Sequence, residues 1–159
     1  MPDSTSSTMP RIACGDYSLS RLILGANPIN GGSHLSRFVN VQMKRYFTPE
    51  CIQETLRQCE AVGINTWQSG PVNLDAYRTY VENGGAMHYI GLASDSEQDP
   101  GMLERLVAGG TIGVAHHGEV TDMFWKTGQI DKARDYCKRI RDTGALVGGF
   151  TDAGRQADR

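Results

Sequence analysis

A strand-then-helix unit that repeats along the chain is the feature that most limits its fold. Short apolar runs that suit buried strands alternate with segments whose apolar residues recur at helical spacing. The runs occupy residues 64–69, 87–94, 111–117 and 145–150. Glycines stand where the intervening helices should end, at Gly63, Gly84, Gly109 and Gly144. Strands joined by helices in this order form right-handed crossovers, so the sequence predicts an α/β fold with a parallel sheet.

The N-terminal part predicts a hairpin followed by a first barrel strand. Residues 11–25 contain two short strand-like runs that meet at a Gly15-Asp16 turn. The second run continues through residues 21–29, where Leu22, Ile23 and Leu24 follow one another as in a strand buried on both faces. Residues 30–47 predict a long loop, which in a compact domain usually has a functional role or forms a lid.

Capping residues mark where the predicted helices begin. Thr48-Pro49 combines a good N-cap with proline at the first helical position. The next helix opens at Pro71 or Asn73, and Asp99-Pro100 caps the one after it. The last helix is either long or broken at Gly128.

Two parallel architectures fit this pattern, an open doubly wound sheet and a closed barrel. An open nucleotide-binding sheet usually carries a glycine-rich phosphate turn after its first strand. Gly25, Gly31 and Gly32 do not form a GxGxxG motif, and Walker spacing is also missing from the sequence. We therefore predict half of a TIM (β/α)₈ barrel with an N-terminal β-hairpin. Its expected parts are a disordered tail at 1–10, the partial barrel at 11–152 and a polar tail at 153–159.

Composition and charge exclude several classes of function. The formal net charge is −2, and no run of basic residues suggests a nucleic-acid partner. No stretch approaches the ~20 apolar residues of a membrane span, and no signal peptide opens the chain, so we expect a cytoplasmic protein with no membrane partner. The cysteines lack CxxC spacing and are expected to be buried thiols; they are Cys14, Cys51, Cys59 and Cys137.

The N-terminal half resembles the aldo/keto reductases and barrel proteins related to them. The resemblance is carried by a hairpin ending in SRLILG, a Gly-Gly loop, a helix that ends at Gly63, and the INTW strand. It covers residues 11–150. It implies a (β/α)₈ barrel with a hairpin at its bottom, an oxidoreductase acting on a small carbonyl or sugar-like substrate, and NADPH as cofactor. The residues alone identify no cofactor.

Most of the family's catalytic tetrad has no counterpart in this chain. The family uses an Asp after strand two, a Tyr one helical turn later, a Lys that ends strand three and a His that ends strand four. Gln68-Ser69 stands in the place of the Asp, Tyr77 lies too deep in its helix, and strand three ends in LASD. Only the histidine position carries over, to His116-His117. The family's usual mechanism needs the Tyr and Lys together, so we do not expect it here.

The strand ends supply the candidate site, because catalytic residues of barrels lie at the carboxyl ends of their strands. His116 and His117 are the candidate catalytic residues, as acid, base or oxyanion donor. Neighbouring strand residues face opposite sides, so only one of the two can face the barrel mouth. The expected contacts to a small-molecule substrate are Asn27, His34, Gln68, Asp95 and Asp152.

Two other interpretations stay open at this point. A metal-dependent isomerase or hydrolase would use His34, one strand-four histidine and Asp95 or Asp152 as ligands. A histidine bonded to a backbone carbonyl beside one on the rim is the simpler interpretation, so we predict no metal. A non-catalytic half barrel would expose two sheet edges and could form a homodimer through them.

Two further features have both a structural and a functional interpretation. Residues 27–34 form either a mobile ligand-binding loop or an ordinary loop whose glycines serve tight turns. Trp67 and Trp125 could stack on a substrate, but packing in the core or rim is the expected role of each.

Overall fold

A computed structural model describes residues 9–94 and 101–149 of the 159-residue chain. Contacts divide the described chain into two compact units. The first unit contains the residues up to Trp67 together with Thr79–Met87, and the second contains Gln68–Arg78 and the residues from His88 onward. The predicted tails at 1–10 and 153–159 fall largely or wholly outside the described residues, and so does the Asp99-Pro100 cap.

The first unit begins with the predicted hairpin. Strand β1 (Arg11–Cys14) pairs antiparallel with β2 (Tyr17–Ser20), which confirms the hairpin with its turn at Gly15. Three helices follow: α1 (Asn27–Asn30), α2 (Arg37–Tyr46) and α3 (Pro49–Ala61). Thr48 caps α3 as predicted, since its hydroxyl accepts a hydrogen bond of 3.3 Å from the backbone N of Cys51.

The prediction of a continuous barrel strand over residues 21–29 was wrong. Only Leu24 forms a β-bridge, parallel to Trp67, and the side chains of Leu22 and Ile23 are 58% and 43% exposed. The reason lies in Ser20, which is buried and bonded twice to Asn65: its backbone N donates to Oδ1 of Asn65, and its hydroxyl accepts from the backbone N of Asn65. Its hydroxyl also donates to the carbonyl oxygen of Leu22 at 2.6 Å, and this bond turns the chain out of the extended conformation.

The prediction of a long loop at 30–47 was also wrong, because α2 occupies more than half of it. The Ser36 hydroxyl caps α2 by accepting a hydrogen bond of 3.2 Å from the backbone N of Val39. The side chain of Asn40 ties α2 to the preceding turn, since its Oδ1 accepts from both the backbone N and the hydroxyl of Ser33. Gly31 has a left-handed backbone and lies against the side chain of Lys44. A residue with a Cβ would not fit there, so the glycine allows the turn and α2 to pack closely.

A parallel sheet of four strands is built in chain order, as β3-β4-β5-β6. The strands are β3 (Thr66–Ser69), β4 (His88–Ala93), β5 (Gly113–His116) and β6 (Leu146–Gly149). Each overlaps a predicted run, so the mixed α/β class with a parallel sheet and an N-terminal hairpin is confirmed. The connecting segments are helical, as expected for parallel strands that are neighbours in sequence.

The connecting helices begin and end close to the predicted positions. A 3₁₀ turn (Pro71–Asn73) leads into α4 (Leu74–Glu82), and α5 (Met102–Ala108) joins β4 to β5. The last connection consists of two helices, α6 (Gly118–Lys126) and α7 (Ile130–Asp142). Gly128 has a left-handed backbone between them, which confirms the predicted alternative of a helix broken at this glycine. Within the described residues, no helix combines the length and apolar character needed to cross a membrane.

One face of the sheet in the second unit is buried under helices. The ring of Tyr89 in β4 lies 4.8 Å from that of Tyr77 in α4, which places Tyr77 in the core as predicted. A Cβ added at Gly91 would meet Leu106 of α5, so the helix packs directly on the strand there. Tyr89, Gly91 and Ala93 alternate along β4 with half-buried residues. The opposite face therefore contains Ile90 and Leu92.

Burial of Tyr89 gives the fold a predictable response to alkaline pH. Burial raises the pKa of Tyr89 well above its ordinary value, although a hydrogen bond from Ser69 lowers it in part. The unfolded chain ionises near about pH 10, whereas folded Tyr89 stays protonated. We therefore expect its contribution to the free energy of unfolding to be complete below about pH 10 and to be lost as the pH rises further. Urea unfolding at about pH 8 and about pH 11 would measure the loss, and an equal loss in Tyr89→Phe would contradict it.

Candidate functional site

His116 ends β5 and faces the helices. It is 1% exposed, and its ring lies 6.1 Å from that of Phe124 in α6 and 5.4 Å from that of Tyr136 in α7. Its register partner in β4, Ala93, lies on the same buried face. The imidazole is therefore part of the layer between sheet and helices.

The hydroxyl of Thr121 determines which nitrogen of His116 carries the proton. This hydroxyl donates to the carbonyl oxygen of His117 at 3.0 Å, so its single proton is already used. It lies 2.6 Å from Nδ1 of His116, and this contact is satisfied only if Nδ1–H donates to the oxygen. His116 is thus assigned as the Nδ1–H tautomer. Sequence reasoning missed Thr121, whose hydroxyl contacts both histidines.

His117 faces away from His116, because it continues the extended backbone by one residue. Its φ and ψ are −64° and 128°, and its backbone N donates to the carbonyl oxygen of Ala93 at 2.7 Å. The side chain is half-buried, and its Nδ1 is shielded from solvent without a hydrogen-bond partner in the described part of the chain. Of the two candidate histidines, His117 is therefore the one directed to the face without helices.

Gln68 lies on the same side of the sheet as His117 by the alternation of β3. Its neighbour Ser69 is buried on the helix side, where its hydroxyl accepts a hydrogen bond of 2.6 Å from Nδ2 of Asn73. Gln68 is half-buried and points to the opposite face. Ile90, Leu92, Ala115 and Leu146 share that face by strand alternation and by the β4-β5 and β5-β6 registers.

The remaining predicted site residues lie in the first unit or outside the described residues. Asn27 and His34 belong to the first unit and are exposed. His34 is the one non-glycine residue with a left-handed backbone in the described ranges, with φ of 58°. Asp95 and Asp152 lie outside the described residues. The second unit thus contributes His117 and Gln68 to one face, with His116 behind them.

Metal-ligating side chains form no cluster in the part of the chain that the structure describes. No three His, Cys, Asp or Glu residues there are close enough to hold a metal ion. The four cysteines are free and half-buried, rather than fully buried as expected. The metal-dependent interpretation needs Asp95 or Asp152, which both lie outside the described residues, so it stays a prediction.

The link between Thr121 and the two histidines leads to a stability prediction. Thr121→Val keeps the shape of the side chain but removes the acceptor for the buried Nδ1–H of His116. We expect it to lower the free energy of unfolding by about 1–3 kcal/mol, the cost of an unsatisfied buried donor. Thr121→Ser keeps the hydroxyl and should cost less. Urea unfolding measures both, and equal losses would show that the hydroxyl has no such role.

Comparison with known proteins assigns no family to the chain. No protein-family model matches it, and neither a characterised protein nor a solved structure gives a significant match.

Proposed function

We propose that this chain is one half of a (β/α)₈-type barrel of aldo/keto-reductase-like descent that binds a small carbonyl or sugar-like molecule at the carboxyl ends of its strands. The strand order supports the barrel. The four strands are parallel and follow one another in chain order, without the reversal found in doubly wound sheets. Leu24 adds a parallel bridge to Trp67 of β3, at the chain position of a preceding strand.

The orientation of His117 is the observation that carries the binding proposal. A half-buried imidazole whose Nδ1 is shielded and has no partner in the described ranges can donate a hydrogen bond to a ligand oxygen, on a face that it shares with Ile90, Leu92 and Ala115. Gln68 offers a carboxamide on the same face. An N–H of His117 would donate to a carbonyl or hydroxyl oxygen and stabilise negative charge that develops on it. His116 and Thr121 position this histidine from the helix side.

The described strand ends do not fit a nicotinamide cofactor. Ser69 ends β3, Ser94 and His117 directly follow β4 and β5, and no Lys or Arg accompanies these described residues to pair with a pyrophosphate. We therefore derive no hydride-transfer step, and the oxidoreductase activity implied by the resemblance remains a prediction. Titration with NADPH and NADH, followed by protein fluorescence, tests it. Absence of a saturable fluorescence quench with either nucleotide would contradict the predicted oxidoreductase activity.

Ligand binding at His117 is tested with a panel of small aldehydes, ketones and monosaccharides in thermal-shift assays. We expect at least one to stabilise the chain, and His117→Gln to abolish the shift. His88→Gln is the matched control, because His88 begins β4 at the opposite end of the same face. Loss of the shift in His88→Gln but not in His117→Gln, or no shift with any ligand, would overturn the proposal.

A second candidate function, assembly through the sheet edge, is favoured by β6. Val147, Gly148 and Gly149 are exposed, and β6 pairs only with β5 in the described ranges. The backbone N of Leu146 donates to Ile112 beside β5, so the alternate N–H of Val147 points to the open edge. Sedimentation velocity should show a dimer that Val147→Pro disrupts and Val147→Thr retains. A monomer at every concentration would exclude it.

A further inference from the structure

Helix α2 presents an outer face of large apolar side chains that nothing in the first unit covers. Four such side chains, between 40% and 75% exposed, are Leu35, Phe38, Val41 and Tyr46. Helical spacing places Phe38, Val41 and Tyr46 on one broad arc of α2, and Leu35 stands directly before the Ser36 cap; no residue of α2 is buried. A soluble surface scatters such residues singly, so a group of four with two aromatic rings marks an interaction surface.

The same helix has an uncompensated positive charge. Between Asp16 and Glu50 the sequence contains no Asp or Glu, in a chain with 18 of them. Arg37, Lys44 and Arg45 are exposed, and none forms an ion pair within the described part of the chain. On α7, by contrast, Arg134 and Lys138 are paired with carboxylates on the same helix. The cations of α2 are therefore available to an anionic partner.

We propose that this face of α2 docks on a lipid membrane that carries anionic headgroups. Apolar and cationic side chains alternate on one helix, which is the composition of helices that lie in the membrane interface. Phe38 and Leu35 would enter the acyl boundary, while Arg37 and Lys44 contact the headgroups. A nucleic acid would pair with the cations but leave the apolar side chains in water. The expectation that no membrane is a partner was based on the lack of a spanning segment, which an interfacial helix does not need.

The docking surface is held in place before any contact with lipid. Ser36 caps the first turn, and Asn40 fixes the helix to Ser33. The stem of Lys44 packs against Gly31 of the α1 cap. Because these contacts order α2 in advance, docking requires no folding of the segment.

Vesicle co-sedimentation of the whole chain tests the proposal. We expect binding to phosphatidylcholine vesicles that contain about 30% phosphatidylserine and much weaker binding to pure phosphatidylcholine. Replacing Arg37, Lys44 and Arg45 together by Gln should lower the partition coefficient by roughly a hundredfold. Phe38→Ser with Leu35→Ser should also weaken it by at least roughly tenfold, through the lost apolar contact.

A matched control separates the position of charge from its amount. Arg134→Gln, Lys138→Gln and Arg141→Gln together remove three exposed cations from α7 and should leave partition within about twofold. Circular dichroism and thermal unfolding verify that each variant is folded. No binding to anionic vesicles, or an equal loss in the α7 control, would overturn the proposal. A dimer in sedimentation that Phe38→Ser dissociates would instead assign the face to a second copy of the chain.

Discussion

Replacing Trp67 by alanine should destabilise the protein by about 3–5 kcal/mol, the cost of emptying a large site in a packed core. Trp67 is 0% exposed and lies in β3, where it forms the parallel bridge with Leu24. Its removal therefore takes away the apolar contacts of the largest fully buried side chain of the described residues. Since a domain of this size is stable by about 5–15 kcal/mol, the variant should be close to unfolding.

Trp125 is the matched control for this prediction, because the chain has two tryptophans in opposite environments. Its side chain is 61% exposed on α6. Trp125→Ala should change the free energy of unfolding by no more than about 0.5 kcal/mol. Urea unfolding followed by circular dichroism measures both variants, and tryptophan fluorescence then reports each remaining side chain. Similar losses in the two variants would contradict the assignment of Trp67 to the core.

Gly85→Ala should cost about 1–3 kcal/mol by overpacking. A Cβ added at Gly85 would overlap the ring of Tyr80, which is buried and cannot move aside freely. The Tyr80 hydroxyl donates to the carboxylate of Glu60, and the same carboxylate accepts from the backbone N of Ala86 at 3.2 Å. The ring is thus fixed at its far end.

Gly149→Ala provides the control for the glycine prediction. An added Cβ at Gly149 meets open space, and neither glycine has a left-handed backbone. Both changes reduce the freedom of the unfolded chain by the same amount, so their difference isolates the clash in the folded state. Chemical denaturation should show Gly149→Ala close to the parent chain or slightly more stable. Equal stability of the two variants would mean that Tyr80 moves without cost.

Sequence patterns predicted the elements whose ends are chemically marked. Thr48 with Pro49 placed the start of α3, and the glycines after the helices placed their ends, because caps and left-handed positions have few alternatives. The run Leu22-Ile23-Leu24 led to a wrong strand prediction, because an apolar run does not show whether other residues will bury it. Here Ser20 and Asn65 turn the chain first. Helix α2 was missed although Ser36 is a good N-cap.

The candidate site was predictable only in part. Alternation along a strand required that one histidine face the helices and the other face the opposite side. Which histidine faces the helices depends on the positions of Phe124 and Tyr136, which contact His116. These residues lie up to 20 positions after the strand, so its sequence alone could not identify the buried histidine. Thr121 was not found because its role comes from joining two neighbours rather than from a motif of its own.

The chain-order arrangement of the sheet also has a consequence for synthesis. Each strand from β4 to β6 pairs with the strand synthesised just before it. During synthesis, each new strand can therefore pair with the edge of a sheet that has already formed. Each pairing then closes only one helical crossover, which is the smallest sequence separation that a parallel pair allows. A nascent chain can therefore be structured up to β5 while β6 is still inside the ribosome.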